Sequence, residues 1–202
     1  MPRIRAENIE QHKAVTRALI VDAALGVFAA VGYERSTLGS IADSAGMPRS
    51  SVYEYFPNKE AILGAVIEDR VPPLFNEWFA GIPEGNALER LEGLFRTTFR
   101  MMLEHPRVAA LVVGPGRQMA GPDTHMGEMV TLVTLAFVDM CADGIAEGLF
   151  PPGEPQHLGA AVGDLLIGGV NEMLEGADPA AAHDPILETR LRMLRTGILG
   201  CD

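Results

Sequence analysis

The sequence has few cysteines, few aromatic residues and no long hydrophobic run. Its two cysteines, Cys141 and Cys201, lie 60 positions apart without a CxxC or histidine-rich pattern, so neither a disulfide framework nor a structural zinc site is predicted. No stretch free of charged residues approaches the roughly 20 residues that a membrane helix needs. The charged N-terminus lacks the apolar segment of a signal peptide, and we therefore expect a cytoplasmic protein.

Lysine is also scarce, and acidic residues are in excess. The 202 residues include 16 Lys and Arg against 27 Asp and Glu, which gives a formal net charge of −11. Such a sum argues against a nucleic-acid partner, but binding surfaces are local. Residues 1–60 carry seven basic and seven acidic side chains, whereas residues 61–202 carry nine and twenty. This asymmetry indicates two modules, 1–60 and 61–202, with different partners.

Hydrophobic residues make up 48% of the chain, and they recur at helical spacing. The pattern from Val15 to Val31 predicts one long helix that ends at Gly32. Pro72-Pro73 predicts the end of the fourth helix. The segment 129–138 is apolar on all sides, which predicts a helix buried from two directions. No strand alternation appears, so the sequence predicts an all-α protein of about nine helices without a sheet.

Two short helical patterns follow the first helix and are joined by a turn at Gly46. Thr37 is placed to cap the first of them, and Pro48 is well suited to open the second, which would end at Phe56. Asn58 would then cap the next helix. This arrangement has the shape of a helix-turn-helix, in which the second helix enters the major groove of DNA.

The chemistry of the second short helix fits that role. Arginine can bond guanine bidentately, and serine and tyrosine hydroxyls can bond phosphate or base edges. Lys59 and Thr37 open flanking helices whose free N–H groups could hold phosphate. The side chains left facing outward are Arg49, Ser50, Ser51, Tyr53, Glu54 and Tyr55.

These residues resemble the DNA-binding domain of TetR-family transcriptional regulators over residues 15–63, without a gap. The similarity is carried by Phe28-Ala29-Ala30-Val31-Gly32-Tyr33, Ser36-Thr37, Ile41-Ala42, Ala45-Gly46, Val52-Tyr53-Glu54-Tyr55-Phe56 and Lys59-Glu60-Ala61-Ile62-Leu63. Carried over by position, the DNA contacts would be Thr37, Arg49, Ser50, Ser51, Tyr53, Tyr55 and Lys59. The family often has Ser-Lys-Gly-Thr where this chain has Pro48-Arg49-Ser50-Ser51, a departure that bears on the operator sequence.

The resemblance also implies a partner and a ligand. It implies a homodimer whose N-terminal heads grip successive major grooves, with a C-terminal helical domain that binds a small molecule. We expect the segments 158–173 and 186–198 to pair the subunits. The acidic residues favour a lipophilic cation over an acyl anion as the effector. The candidate pocket residues, each of which could equally be plain core, are Trp78, Phe95, Phe99, Met102, Phe137 and Met140.

Other groups of residues give weaker indications of function. Asp123, His125 and Glu128 have a spacing that allows metal ligation, but a helix cap and a dipole partner explain them as well, and no metal or cofactor is expected. No GxSxG elbow occurs and the five histidines are scattered, so no catalysis is expected. Arg3 and Arg5 could reach a groove as an arm.

The leading hypothesis is therefore a ligand-responsive repressor that binds a palindromic operator. The alternatives are a helical apolar-ligand binding protein or enzyme domain with a vestigial DNA-binding motif, and a helical interaction protein.

Overall fold

The chain folds into helices, as the apolar spacing predicted. The computed structural model describes residues 2–118, 121 and 124–200, with side chains for all of these except 2–8, 117, 118 and 125, and this part contains no strand. Besides the four-residue α7, the described residues form the nine helices expected. In chain order they are α1 (Pro2–Val31), α2 (Leu38–Ser44), α3 (Arg49–Tyr55), α4 (Lys59–Ala80), α5 (Ala87–Glu104), α6 (Pro106–Val113), α7 (Pro115–Gln118), α8 (His125–Ala146), α9 (Pro155–Glu175) and α10 (Pro179–Arg192), which continues as a π-helical segment, Met193–Ile198.

The first helices form an N-terminal head around α1. Ile20 of α1, Ile41 of α2, Val52 of α3 and Leu63 of α4 are all 0% exposed and belong to one hydrophobic cluster. The chain leaves α1 through Gly32, whose φ of 81° places it in the left-handed region that only glycine adopts freely. The head is thus a small three-helix core closed by the first half of α4.

Helix α4 continues through Pro72-Pro73 to Ala80, so the predicted end at the prolines is wrong. The prolines remove the hydrogen bonds that would reach the carbonyls of Glu68 and Asp69. Both residues are exposed, so water can bond these carbonyls instead. Packing also holds each half, because Val71 is buried in the head cluster and Trp78 in the C-terminal cluster.

Polar contacts tie α4 to α1 on the head side of the prolines. Arg17 of α1 donates to Asp69 at 2.9 Å, and Arg70 of α4 pairs with Asp22 of α1. Leu111 of α6 also joins the head cluster. A division at residue 60 stays a prediction, and the head core as observed takes in residues well beyond that position.

The C-terminal body packs α5, α8, α9 and α10 around a second core. Phe95 of α5, Val162 of α9 and Leu191 of α10 are 0% exposed at its centre. The expectation that α8 is buried from two directions is wrong, because Val130, Leu132 and Leu135 are 44–52% exposed. Helix α8 packs chiefly against α9 and α5, and these three side chains are left uncovered.

Two helical segments, Ile9–Val31 and Met126–Ala146, are long and apolar enough to cross a membrane by length and composition alone. This is weak evidence of a membrane protein, since packed helices of soluble proteins have the same properties. Here the first carries the head core, and the second packs against α9.

Candidate functional sites

Helix α3 is presented on the head by a capped α2 and a tight turn. The Thr37 hydroxyl accepts a hydrogen bond from the Ser40 N–H at 3.0 Å, and the Ser40 hydroxyl accepts one from the Thr37 N–H at the same distance. This reciprocal pair fixes the start of α2. Gly46, with φ of 67°, makes the turn into α3, and Val52 anchors α3 in the core. The side chains of Arg49, Ser50, Tyr53 and Glu54 are left exposed.

Arg49 and Tyr53 form a pair on the outer surface of α3. One guanidinium nitrogen of Arg49 donates to the Tyr53 hydroxyl at 3.1 Å, and the guanidinium carbon lies 5.5 Å from the centroid of the Tyr53 ring. The two residues are one turn apart, so their side chains meet on the same face. Tyr53 therefore holds the guanidinium in place at the surface, where it is available to a base edge or a phosphate.

The other predicted contacts on α3 are less uniform in their placement. Ser50 is exposed and Ser51 is half-buried. Of the two tyrosines, Tyr53 is 47% exposed, whereas Tyr55 is half-buried and packs against the head cluster. Tyr53 is therefore the more accessible of the two tyrosines, and Tyr55 is accessible only in part.

Lys59 is engaged with the loop between α1 and α2. Its ammonium donates to the carbonyl of Tyr33 at 2.7 Å and to those of Ser36 and Glu34 at 3.3 and 3.4 Å. It also lies 4.1 Å from the centroid of the Tyr33 ring. All three N–H donors thus point at protein carbonyls. A contact to phosphate would require Lys59 to release at least one of them.

Tyr33 sits beside this ammonium in a position that keeps its hydroxyl protonated. Burial, followed by the nearby Glu60 carboxylate, raises the pKa of Tyr33 to about 12. Its ring packs edge-on against Phe28 of α1 at 5.4 Å between centroids. Lys59 and Tyr33 therefore join the start of α4 to the end of α1.

The C-terminal body contains a cavity of about 380 Å³. Its walls come from α4, α5, α6, α8 and α9, and most of the side chains are aliphatic or aromatic. The lining residues are Val71, Leu74, Phe75, Trp78, Thr98, Met101, Met102, His105, Val108, Ala109, Val112, Val113, Met126, Met129, Val130, Val133, Thr134, Phe137, Gly159, Ala160, Gly163, Asp164, Leu166 and Ile167. A cavity of this size and character suits a small lipophilic molecule.

Three of the six candidate pocket residues line this cavity, namely Trp78, Met102 and Phe137. Phe95, Phe99 and Met140 lie outside its walls in the C-terminal core. The difference is one of helix face, as Phe99 shows. Its ring packs towards Gly169 of α9 and lies 6.0 Å from the ring of His183 at the start of α10.

The α5 residues that line the cavity include positions other than the predicted ones, and the prediction named no residue of α6 or α9. The α5 face consists of Thr98, Met101 and Met102, with His105 just beyond the helix. The walls from α6 and α9 were not anticipated. The signal that could have found the α9 wall is the pair Gly159 and Gly163, whose spacing places two residues without side chains on one face.

The hydroxyl and indole groups of the cavity wall are satisfied within the protein. The Trp78 indole donates to the Thr98 hydroxyl at 2.6 Å, which in turn donates to the Leu94 carbonyl at 2.7 Å. The Thr134 hydroxyl donates to the Val130 carbonyl at 2.8 Å. A ligand therefore does not have to provide hydrogen-bond partners for these groups, and this part of the wall is effectively apolar.

The chemical alternatives to a binding role gain no support from the described residues. Cys141 is fully buried, and burial raises the pKa of its thiol to about 11, which disfavours the nucleophilic thiolate. No group of three or more metal-ligating side chains occurs in the part of the chain that the structure describes. The metal candidate formed by Asp123, His125 and Glu128 lies only partly within that part, which includes neither Asp123 nor the side chain of His125. The side chains of Arg3 and Arg5 also lie outside it.

Comparison with known proteins agrees with this architecture. Residues 20–66 match the family model described as bacterial regulatory proteins, tetR family. The chain is 29% identical over 152 residues to the HTH-type transcriptional repressor KstR2 of Mycolicibacterium smegmatis, a match that covers 73% of each protein.

Solved structures share the fold over nearly the whole chain. A regulatory protein of the tetR family from Rhodococcus RHA1 has a TM-score of 0.70 at 24% identity and covers 93% of this chain and 98% of its own. AibR, solved with isovaleryl coenzyme A and operator DNA, has a TM-score of 0.70 at 14% identity and covers 93% and 100%. The head thus matches the tetR family of bacterial regulatory proteins, and nearly the whole chain shares the fold of these solved regulators.

Proposed function

We propose that the protein is a ligand-responsive repressor that binds a palindromic operator as a homodimer and leaves it when a small lipophilic molecule occupies the cavity. In this role the α3 surface reads DNA and the cavity binds the effector. The relative KstR2 is named as a repressor, and AibR shows that the same fold can hold a ligand and operator DNA together. A cytoplasmic location follows from this function.

The observation that carries the proposal is that the head and the cavity share helices. The first half of α4 lies in the head core, and its second half supplies Leu74, Phe75 and Trp78 to the cavity wall. Helix α6 does the same, with Leu111 in the head cluster and Ala109 on the cavity. A ligand that prefers one setting of these helices also shifts the head, which is the coupling that a ligand-responsive regulator needs.

Homodimerisation supplies the second head. Two heads related by a two-fold axis would read two half-sites about one helical turn of DNA apart, roughly 34–36 Å, or a multiple of it. Helices α9 and α10 are the proposed pairing elements. The neutral head and the acidic body fit this division, since acidic side chains on the body repel the DNA backbone and confine contact to the heads.

The experiment is operator capture from genomic fragments with the purified full-length chain, followed by gel-shift assays on the recovered sequence. Arg49→Ala is expected to cost roughly 1–3 kcal/mol of binding and to relax the preference at one base position. Lys13→Ala on the head is the control, because Lys13 is exposed and its ammonium pairs with Glu10 one turn away.

Two outcomes would count against the proposal. If no sequence-preferring binding is found even at low salt, the apolar-ligand binding protein with a vestigial motif becomes the better description. If Arg49→Ala leaves both affinity and sequence preference unchanged, α3 is not the reading helix.

A further inference from the structure

One wall of the cavity carries an unpaired carboxylate. Asp164 lies on the cavity side of α9 and is exposed. It is the one acidic side chain among the lining residues, and no hydrogen bond or ion pair joins it to any other described residue. The other titratable group in the wall is His105, which lies on a different wall, at the junction of α5 and α6.

The surroundings of Asp164 leave space for a ligand group and offer an aromatic ring. The residues beside it on α9, Gly159, Ala160 and Gly163, have little or no side chain. A Cβ built at Gly163 would lie 3.6 Å from two carbons of the Phe137 ring, so this ring covers α9 next to Asp164. The Thr134 hydroxyl on the α8 wall donates to its own helix.

We propose that Asp164 makes the cavity selective for lipophilic cations, with the apolar body of an amine or quaternary ammonium in the cavity and its charged nitrogen between Asp164 and Phe137. The inference rests on the proposed function, because it names the chemical class of the effector. It is independent of how binding is transmitted to the head.

The physical reason is the balance of desolvation and pairing at the carboxylate. A neutral ligand that covers Asp164 removes water from it and returns no interaction, and an anionic ligand adds repulsion. A cation returns a charge-assisted hydrogen bond or ion pair and an attraction to the ring of Phe137. The cavity therefore discriminates by charge at one end and by shape elsewhere.

The test uses the fluorescence of Trp78, the only tryptophan of the chain, which lines the cavity. Phenylbutylamine, phenylbutanol and phenylbutyrate are titrated against the full-length protein, since they share an apolar body and differ in charge. The amine is expected to bind at least about tenfold more tightly than the other two, a difference of about 1.4 kcal/mol.

Variants separate the carboxylate from overall charge. Asp164→Asn is expected to remove the preference for the amine while phenylbutanol binds at least as tightly as before, and Asp164→Glu is expected to keep the preference. Asp139→Asn is the matched control, because Asp139 is an exposed carboxylate on α8 outside the cavity wall. Circular dichroism melting of each variant establishes that it is folded.

The inference is overturned if the amine and the alcohol bind equally, if the butyrate binds best, if none of the three probes binds, or if Asp164→Asn keeps the preference. Operator release is measured separately by gel shift. Preferred binding of the amine without release of DNA would overturn the effector role and leave the cation site standing. If a neutral lipophilic molecule releases the DNA and the amine is not bound preferentially, the cation site is overturned and the ligand-responsive function stands.

Discussion

At the scale of single residues, position in the helix-turn-helix pattern predicts which side chains are important more accurately than it predicts the contacts that they make. Arg49 and Tyr53 were expected at the surface of α3, and they are there as a bonded pair. Lys59 was expected to clamp phosphate, yet its ammonium points at three carbonyls of the preceding loop. The sequence shows the cation but not these acceptors, because the loop between α1 and α2 comes close to Lys59 only in the folded chain.

Lys59→Met therefore tests whether this lysine acts on the loop or on phosphate. Loss of three hydrogen bonds from a charged donor is expected to lower the free energy of unfolding by about 2 kcal/mol and to weaken binding to all DNA sequences alike. Thermal melting and the salt dependence of gel shifts measure the two effects. Lys13→Met is the control, because it removes the only other lysine of the chain.

A different pattern in the Lys59→Met protein would contradict the loop role. If stability is unchanged and the slope of log K against log salt becomes shallower by about one unit, Lys59 acts on phosphate.

At the scale of elements, local signals predicted the helix starts well and the helix surroundings poorly. Thr37 and Asn58 cap α2 and α4 as expected, because a cap depends on neighbours within three residues. The prolines in α4 and the apolar run in α8 were misjudged, because tertiary packing decides those cases. The cavity was half predicted for the same reason, since it depends on which face of α5 meets α8 and α9.

The prolines of α4 are expected to soften the helix between the head core and the cavity. Pro72→Ala with Pro73→Ala restores two backbone hydrogen bonds in α4, which should raise the free energy of unfolding by roughly 1–3 kcal/mol and slow amide exchange around residues 68–76. Hydrogen exchange with mass spectrometry measures the local effect. Pro185→Ala, in the interior of α10, is the control and should leave exchange in α4 unchanged.

Unchanged exchange in the doubly substituted α4 would show that packing, and not the missing hydrogen bonds, sets its stiffness. If α4 is already rigid between the head core and the cavity, the effect of ligand binding would have to reach the head through α6.

At the scale of the whole molecule, the excess acidic charge belongs to the body rather than to the head. The net charge of −11 hid a neutral head, and this separation could be predicted from the sequence. The pairing surface could be predicted only as a pair of segments. In the structure, open space lies next to Gly168 of α9 and to Gly197 of the π-helical segment that follows α10. Met193 is 47% exposed, and a Cβ built at either glycine meets nothing within 4 Å.

Gly168→Arg is expected to convert the proposed dimer into a monomer without damaging the subunit. The open space around Gly168 accommodates the side chain, and arginine favours a helix more than glycine does, whereas a buried charge at the interface is costly. Loss of the second head should weaken operator binding by about 10²-fold, because the two heads no longer bind as one unit. Analytical ultracentrifugation and gel shifts measure the two effects. Gly153→Arg, in the open loop before α9, is the control.

The exposed residues of α8 provide the competing surface for the same test. If Gly168→Arg remains dimeric and Leu135→Arg becomes monomeric, the subunits pair through α8, where Leu132 and Leu135 are 51% and 52% exposed. That result would also place the interface on the helix that supplies Phe137 and Thr134 to the cavity. Ligand entry and dimerisation would then compete for one helix, and the apparent affinity of the cavity for phenylbutylamine would fall as the protein concentration rises.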